Sequence, residues 1–325
     1  MMRQWIFGGL ALATGAGLSA QTPTTKVDTG PSFGAVDKVT QTEDVKFKNE
    51  QYDRLTVPVR VSGHGPYRFL VDTGADRTAI SHQLANSLNL QPGQKASLHS
   101  VAGVSAVSTA MVPELELTRK PVKVLDAPLL DGANIGADGI LGVDSLRSQR
   151  VVFNFENQTM SIVPSATLSA HSDPNEIVIQ AYRKNGRLVL TDAVANGHPL
   201  TVVLDTGSQV SIGNEALRQK LMGHVVNALH DVNIQSVTGE TITGQYAFVR
   251  EFEIGGIQLK NLAVVFADAH TFHQLKLDKE PALLLGMNAI RAFKKVSIDF
   301  ANRKFKVVLP EQSELAFRLA DKRFD

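Results

Sequence analysis

The sequence contains no cysteine. Disulfide bonds, thiolate metal sites, lipid-modified cysteines and cysteine nucleophiles are therefore excluded. The sequence also lacks an excess of charge of either sign, because 33 basic and 32 acidic side chains give a formal net charge of +1. A nucleic-acid-binding protein needs a basic excess to displace counterions from phosphates, so this balance argues against nucleic acid as a partner.

The sequence has no long uninterrupted apolar run. The best candidate follows Arg3 and extends from Trp5 to Leu18, but several glycines interrupt it and it is short for a membrane span. A positive start, this small-residue-rich stretch and a cleavage site at Leu18-Ser19-Ala20 are typical of a signal peptide over residues 1–20. We expect an exported protein, periplasmic or secreted, and no membrane span unless this segment stays uncleaved as an anchor.

Several familiar catalytic motifs are missing. The sequence has no His-Glu-x-x-His zinc motif, no Gly-x-Ser-x-Gly elbow and no phosphate-binding glycine loop. His270 and His273, with Asp268 nearby, could share a helix face and bind a metal ion, but no second cluster completes such a site. We interpret them as part of a polar loop and expect neither a metal nor an organic cofactor.

The chain of 325 residues is long for one core and contains an internal repeat. Asp205 follows Asp72 by 133 residues, and the separation between matching positions grows slowly along the chain. A duplication with a few loop insertions produces such a drift, whereas chance matches would scatter. The matching segments are Val61–Gly74 with Val194–Gly207, Ser100–Gly103 with Ser236–Gly239, and Ile140–Gly142 with Leu284–Gly286.

The repeat divides the chain into two domains. We expect a flexible lead-in over residues 21–45, an N-terminal lobe over 46–168, a C-terminal lobe over 169–310 and a charged tail over 311–325. Each lobe is predicted to be mostly strand, with glycine-rich turns between apolar runs. The spacing of apolar residues predicts one short helix in each half, at Ser81–Leu88 and Asn214–Leu221.

Two Asp-Thr-Gly triplets carry the chemistry of the sequence. Asp72-Thr73-Gly74 and Asp205-Thr206-Gly207 each end an apolar run, whereas a third triplet, Asp28-Thr29-Gly30, follows no apolar strand and is interpreted as accidental. A single such aspartate most often caps its own turn. Two aspartates at equivalent places of a duplicated chain indicate a shared site, because a pseudo-twofold axis can bring both carboxyl groups together.

Two adjacent carboxyl groups share one proton, since both cannot ionise without strong repulsion. The ionised member can take a proton from water while the protonated member donates to an amide carbonyl. Gly74 and Gly207 allow the tight turn beside the symmetry mate, and we expect the hydroxyls of Thr73 and Thr206 to bond across the axis. Ser208 can donate to Asp205, whereas Ala75 cannot do this for Asp72, so we predict that Asp205 ionises more readily.

At these residues the sequence resembles the retropepsin-like and pepsin-like aspartic proteases, most closely the bacterial secreted group with two repeats. The pattern of two apolar residues, Asp-Thr-Gly, a glycine-containing flap and then apolar-apolar-Gly occurs twice and covers roughly residues 50 to 310. The resemblance implies an all-β fold of two pseudo-twofold-related closed β-barrel lobes. It also implies a catalytic dyad of Asp72 and Asp205, and flaps around Gly103 and Gly239 that close over a peptide.

The chain departs from the retroviral pattern after the last glycine of each repeat. The retroviral members have a charged pair there, whereas the residues here are Val143-Asp144 and Met287-Asn288, so we do not expect these positions to form an ion-pair network between the two halves.

The sequence thus predicts an aspartic endopeptidase acting on peptide or protein substrates. A catalytically silent peptide-binding protein on the same scaffold is the alternative, and a homodimer with two symmetric dyads is a different possible assembly.

Overall fold

The computed structural model describes residues 55–117, 122–167, 175–221 and 225–310, together with the backbone of three short strands nearer the N-terminus. These strands are β1 (Arg3–Ile6), β2 (Leu12–Ala13) and β3 (Val45–Lys46). The rest of the predicted signal peptide, the lead-in before Val45, the third Asp-Thr-Gly triplet and the tail from residue 311 lie outside the described residues.

The described residues are mostly β, with six short helices. The N-terminal half contains β4 (Thr56–Val61), β5 (His64–Val71), β6 (Ala79–Ser81), α1 (His82–Ser87), β7 (Ala96–Ser100), β8 (Gly103–Val107), β9 (Thr109–Glu116), β10 (Val122–Leu130), α2 (Gly132–Ile135), β11 (Gly139–Leu141), α3 (Val143–Leu146), β12 (Gln149–Asn154) and β13 (Thr159–Pro164). None of the six helices is long and apolar enough to cross a membrane.

The C-terminal half repeats this order with more broken strands. It contains β14 (Glu176–Gln180), β15 (Tyr182–Lys184), β16 (Arg187–Leu190), β17 (Ala193–Ala195), β18 (His198–Pro199), β19 (Thr201–Leu204), β20 (Ser211–Gly213), α4 (Glu215–Leu221), β21 (Val225–Gln235), β22 (Thr241–Ile254), β23 (Ile257–Phe266), α5 (His270–Gln274), β24 (Ala282–Leu285), α6 (Met287–Ile290), β25 (Lys295–Asp299) and β26 (Lys304–Val308).

Each half contains a ring of paired strands, which confirms the predicted fold class. In the N-terminal half the six strands β10-β6-β11-β5-β4-β9 form a closed barrel. In the C-terminal half the corresponding pairings run β17-β22-β23-β20-β24-β19. The two ends of this series, β17 and β19, are connected through β18, which pairs with β17 and is separated from β19 only by Leu200. The second ring therefore also returns to its start. A closed sheet leaves few strand edges open to other chains.

Short-range sequence features explain the local structure in both halves. Ser81 begins α1 by accepting a hydrogen bond from the backbone of Leu84 at 3.0 Å, and Asn214 accepts from Leu217 at 2.9 Å at the start of α4. Such side-chain caps satisfy backbone donors that a helix leaves unpaired at its N-terminus. The predicted short helices are therefore confirmed, with their first residue serving as the cap.

A six-stranded sheet joins the two halves. Its order is β14-β26-β25-β12-β13-β3, so one hairpin from each half lies at its centre. The strands β12 and β25 pair antiparallel with Val152 opposite Ser297, and these two residues occupy equivalent places in the two repeats. This pairing puts a pseudo-twofold axis between the halves and fixes their relative orientation.

Candidate active site

Both predicted aspartates lie at the end of a buried strand that pairs parallel with the apolar-apolar-Gly segment of its own half. The amide of Asp72 donates to the carbonyl of Leu141 at 3.0 Å, and the amide of Asp205 donates to Leu285 at 3.1 Å. The two aspartates are 0% and 1% exposed. Equivalent local pairings thus deliver one carboxyl group from each half to the interface between them.

Each loop turns back on its own carboxylate. The amide of Gly74 donates to Oδ1 of Asp72 at 2.7 Å, and the amide of Gly207 donates to Oδ1 of Asp205 at 3.1 Å. Turn capping, the ordinary role of an aspartate in this setting, therefore uses one oxygen of each side chain. The second oxygen of each carboxyl group is left for other partners.

The two threonines lock the loops to each other. Thr73 donates through its hydroxyl to the carbonyl of Leu204 at 2.7 Å, and Thr206 donates to Val71 at 2.7 Å. Each hydroxyl oxygen also accepts the backbone N–H of the other threonine at 3.1 Å. These four buried hydrogen bonds are reciprocal, as expected from the sequence, and a buried hydroxyl that lost its partners would be costly.

The glycine of the second loop packs directly against the first aspartate. A Cβ atom placed on Gly207 would lie 2.4 Å from Cγ of Asp72, a separation that real side chains do not adopt. The backbone of one loop therefore touches the carboxyl group of the other, and only a residue without a side chain allows this approach.

Burial dominates the electrostatics of Asp72. Loss of solvent raises the pKa of this carboxyl group well above its ordinary value, and the negative charge of Asp205 raises it further. The hydrogen bond from Gly74 and the positive charge of Arg187 act in the opposite direction but do not cancel the rise. Oδ2 of Asp72 is buried and accepts no hydrogen bond from the described residues, which also favours its protonated form.

The second oxygen of Asp205 has a different environment. The hydroxyl of Ser208 donates to Oδ2 of Asp205 at 2.9 Å and is itself fully buried. Ala75 occupies the equivalent place after Gly74 and has no donor. A hydrogen bond donated to a carboxylate favours its charged form, so the two carboxyl groups are chemically unequal in the direction expected from the sequence.

A buried arginine that sequence reasoning missed joins the two halves. Arg187 begins β16 of the C-terminal half, is 0% exposed, and donates through Nε to the carbonyl of Gly74 at 2.9 Å and through Nη2 to the same oxygen. Its Nη1 lies 3.1 Å from Oδ1 of Asp76. The loop that carries Asp72 is therefore held by a cation from the other half. An arginine at the head of an otherwise apolar strand, Arg187-Leu188-Val189-Leu190, was the one signal in the sequence.

The residues that replace the retroviral charged pair stabilise the loops locally. Asp144 accepts hydrogen bonds from both the backbone and the hydroxyl of Thr78 at 2.8 Å, and Asn288 accepts the equivalent pair from Ser211 at 2.8 and 2.9 Å. An ion pair between the halves is nevertheless present, and Arg187 and Asp76 form it from other positions.

The structure places both predicted flap glycines at hairpin tips. Gly103 begins β8 directly after the turn from β7, and Gly239 lies in the turn between β21 and β22; both have positive φ, 143° and 86°. We call residues 96–107 the N-terminal flap and residues 230–246 the C-terminal flap. The backbone strand β1 pairs with β7, and β2 pairs with β21, so an extended segment lies along one strand of each flap.

Each flap tip reaches into the opposite half. Val101 of the N-terminal flap packs in an apolar cluster of the C-terminal half with Phe272, and Val237 of the C-terminal flap packs in a cluster of the N-terminal half with Ile135. Ser105 also donates to Glu240 at 2.9 Å and links the flaps to each other. The flaps are thus closed in this structure.

The interpretation of residues 270–273 as a polar loop was wrong. These residues lie in the helix α5, His270–Gln274, because Phe272 packs into the apolar cluster and draws the segment into a helical turn. His273 pairs with Asp268 at 2.6 Å. Among the described residues no three histidines, aspartates or glutamates are grouped so that they could hold a metal ion.

Comparison with protein families matches residues 57–145 and 191–289 to the aspartyl proteases. No curated protein matches the sequence. The two matched stretches cover more than half of the chain, and each contains one Asp-Thr-Gly loop, one flap tip and one apolar-apolar-Gly segment. The chain therefore belongs to the aspartyl protease family and contains the retropepsin-like unit of that family twice.

Proposed function

We propose that this protein is an aspartic endopeptidase whose single dyad, Asp72 and Asp205, activates a water molecule for attack on a peptide bond. The observation that carries the proposal is the reciprocal bonding of Thr73 and Thr206, which brings two buried aspartate loops of one chain together. Membership of the protease family supports a peptide or protein as the substrate. The same contacts favour one dyad per chain over a homodimer with two.

The environments of the two carboxyl groups support a division of labour. Asp72, whose pKa is raised by burial and by Asp205, keeps the shared proton and donates it to the carbonyl oxygen of the substrate. Asp205, which accepts a hydrogen bond from Ser208, is ionised and takes a proton from the attacking water. No covalent intermediate with the enzyme forms on this route.

A binding protein without activity is the main alternative on this scaffold. Burial of two acidic side chains is costly unless they are paired or used, and peptide binding alone gains little from them. A digest of a peptide library separates the two functions. We expect the wild-type protein to cleave peptides internally and a statine-type transition-state analogue to inhibit this cleavage. We expect no cleavage by Asp205→Asn. Cleavage that persists in the variant would remove the mechanism.

Export is proposed on the sequence of residues 1–20. An arginine near the start, an apolar small-residue stretch and the Leu18-Ser19-Ala20 site together favour cleavage after Ala20 and a periplasmic or secreted location.

Replacing Ser208 by alanine should move the acid limb of the kcat/KM profile. The hydroxyl stabilises the charged form of Asp205, so its loss makes ionisation harder and shifts the limb upward by about one pH unit. Ser87→Ala, which removes a hydroxyl bonded to Leu84 in α1, serves as the control and should leave the limb in place. An unchanged limb in Ser208→Ala would contradict the assignment of roles.

Replacing Gly207 by alanine should lower kcat/KM by about a hundredfold. The new methyl group would overlap Cγ of Asp72, and a displacement of reacting groups by about 1 Å costs a factor of that size. Gly132→Ala is the matched control, because its methyl group would meet chiefly the flexible end of Gln83. Equal activities of the two variants would mean that the loops are not constrained as described.

A further inference from the structure

The N-terminal flap is attached to the opposite half by two histidines. Nδ1 of His99, in β7, lies 2.9 Å from Nε2 of His270, the first residue of α5, and the rings are nearly parallel at 15°. The backbone N–H of His270 also donates to the carbonyl of Val101 at 2.9 Å. His99 is 5% exposed, so the contact between flap and helix is largely shielded from solvent.

The hydrogen-bond pattern favours neutral rings. Nε2 of His270 lies within reach of two nitrogen donors, Nδ1 of His99 at 2.9 Å and the side-chain amide of Gln274 at 3.2 Å. It can accept from them only through its lone pair, which protonation removes. Nε2 of His99 is buried and has no partner among the described residues, so a proton added there would be an unsatisfied donor.

The C-terminal flap makes the equivalent contact with residues that do not titrate. Gln235 of β21 donates to Oδ1 of Asn134 in α2 at 3.3 Å. Gln235 follows His99 by 136 residues, and His270 follows Asn134 by the same separation, so the two pairs are related by the duplication. The apolar contacts of the two flaps are alike, with one valine inserted at each tip. The two side-chain pairs that attach the flaps therefore differ mainly in whether they can be protonated.

We propose that His99 and His270 form a proton-sensitive latch that holds the N-terminal flap closed while both rings are neutral. Protonation releases this flap and leaves the C-terminal flap attached. Because Asp72 and Asp205 are buried in the closed structure, release of a flap would open one side of the site to substrate. The latch is a property of the flaps and does not depend on the proposed catalytic roles.

The charged groups around the pair do not offset this effect. His273 lowers the pKa of His270, whereas Asp268 raises it. Asp268 is 82% exposed and is paired with His273. His273 also lies 3.8 Å from Asp278. The carboxylate of Glu240 already accepts a hydrogen bond from the hydroxyl of Ser105 in β8.

The strand β8 carries no charge at the level of His99, because the register of β7 and β8 puts Val104 opposite it. The backbone strand β1 on the other side of β7 belongs to residues 1–20, whose removal is proposed, so the latch does not rest on it.

The sign of the pH dependence follows from the direction of the pKa shifts. Burial lowers the pKa of His99, with His270 adding to the effect, and burial together with His273 lowers the pKa of His270. The open flap, with its rings in water, therefore binds protons more readily than the closed flap. Closure is fully favoured above the ordinary histidine value near 6.5 and weakens as the pH falls below it.

Hydrogen exchange of the two flaps tests the proposal without any assay of activity. Between pH 7.5 and 5.5 the protection factors of residues 96–107 should fall about tenfold for one coupled proton and up to about a hundredfold for two. Residues 230–246, whose His230 is exposed, serve as the internal control and should keep their protection. Equal losses in both flaps, or no loss in the N-terminal flap, would overturn the proposal.

The duplication supplies the matched variants. His99→Gln with His270→Asn gives the N-terminal flap the residues of its counterpart and should abolish its pH response; a response that remains would overturn the latch. Gln235→His with Asn134→His should transfer the response to the C-terminal flap, and failure to do so would count equally against it. If one of the two double variants does not fold, the other is sufficient to test the latch.

Discussion

Replacement of Asp72 by asparagine is expected to lower kcat/KM by about 10²- to 10⁴-fold, the range that a positioned acid or base contributes. Asparagine keeps the shape of the side chain but cannot hold and deliver the shared proton. Because Oδ1 of Asp72 accepts a hydrogen bond from the backbone N–H of Gly74, the side-chain oxygen of asparagine can keep that bond and the protein should remain folded. Steady-state kinetics on a cleavable peptide, with circular dichroism as the check on folding, measure the loss.

The same variant distinguishes the two possible assemblies. With one dyad per chain, Asp72→Asn is inactive and a mixture with Asp205→Asn stays inactive. In a homodimer with two symmetric dyads, Asp72→Asn would keep the dyad formed by the two copies of Asp205 and about half of the activity. Glu156→Gln removes an exposed carboxylate paired with Lys294 at 3.2 Å and should be fully active. Substantial activity in Asp72→Asn would contradict the single-chain dyad.

Replacement of Arg187 by methionine is expected to lower the free energy of unfolding by about 3 kcal/mol, the lower end of the range for removing one partner of a buried ion pair. Methionine fills much of the space but donates no hydrogen bond. The carbonyl of Gly74 would lose its donor and the partly exposed Asp76 its cation. Since the arginine comes from one half and its partners from the other, the loss should affect the contact between the halves. Urea denaturation measures it.

Arg218→Met is the matched control for this variant. Arg218 also pairs with a carboxylate, Glu215 at 2.7 Å, but that pair lies on the surface of α4. Exposed pairs contribute up to about 1 kcal/mol, because water screens the charges. A loss in Arg187→Met no larger than in Arg218→Met would mean that the buried arginine does not hold the two halves together.

The features that the sequence predicted are those set by short stretches of chain. Asp72 and Asp205 could be found because an apolar strand, a tight turn and a glycine lie within a few residues of each, and because the duplication shows the pattern twice. The caps of α1 and α4 are similarly local. Even the reciprocal threonine contacts follow from symmetry once the two loops are assumed to meet.

The features that the sequence could not provide are contacts between distant residues. Arg187 and Gly74 are separated by 113 positions, and His99 and His270 by 171. Neither pair has a spacing or a motif that marks it, and only the packing of one half on the other brings its members together. The segment 270–273 was misjudged for the same reason, since its helical form depends on the burial of Phe272 among residues far away in the sequence.

A crystal structure with a statine-type transition-state analogue tests the central claim most directly. We predict that the hydroxyl of the inhibitor lies within hydrogen-bonding distance of carboxyl oxygens of both Asp72 and Asp205, and that both aspartates belong to the same chain. Side chains in separate pockets, or an inhibitor held between aspartates of two chains, would contradict it.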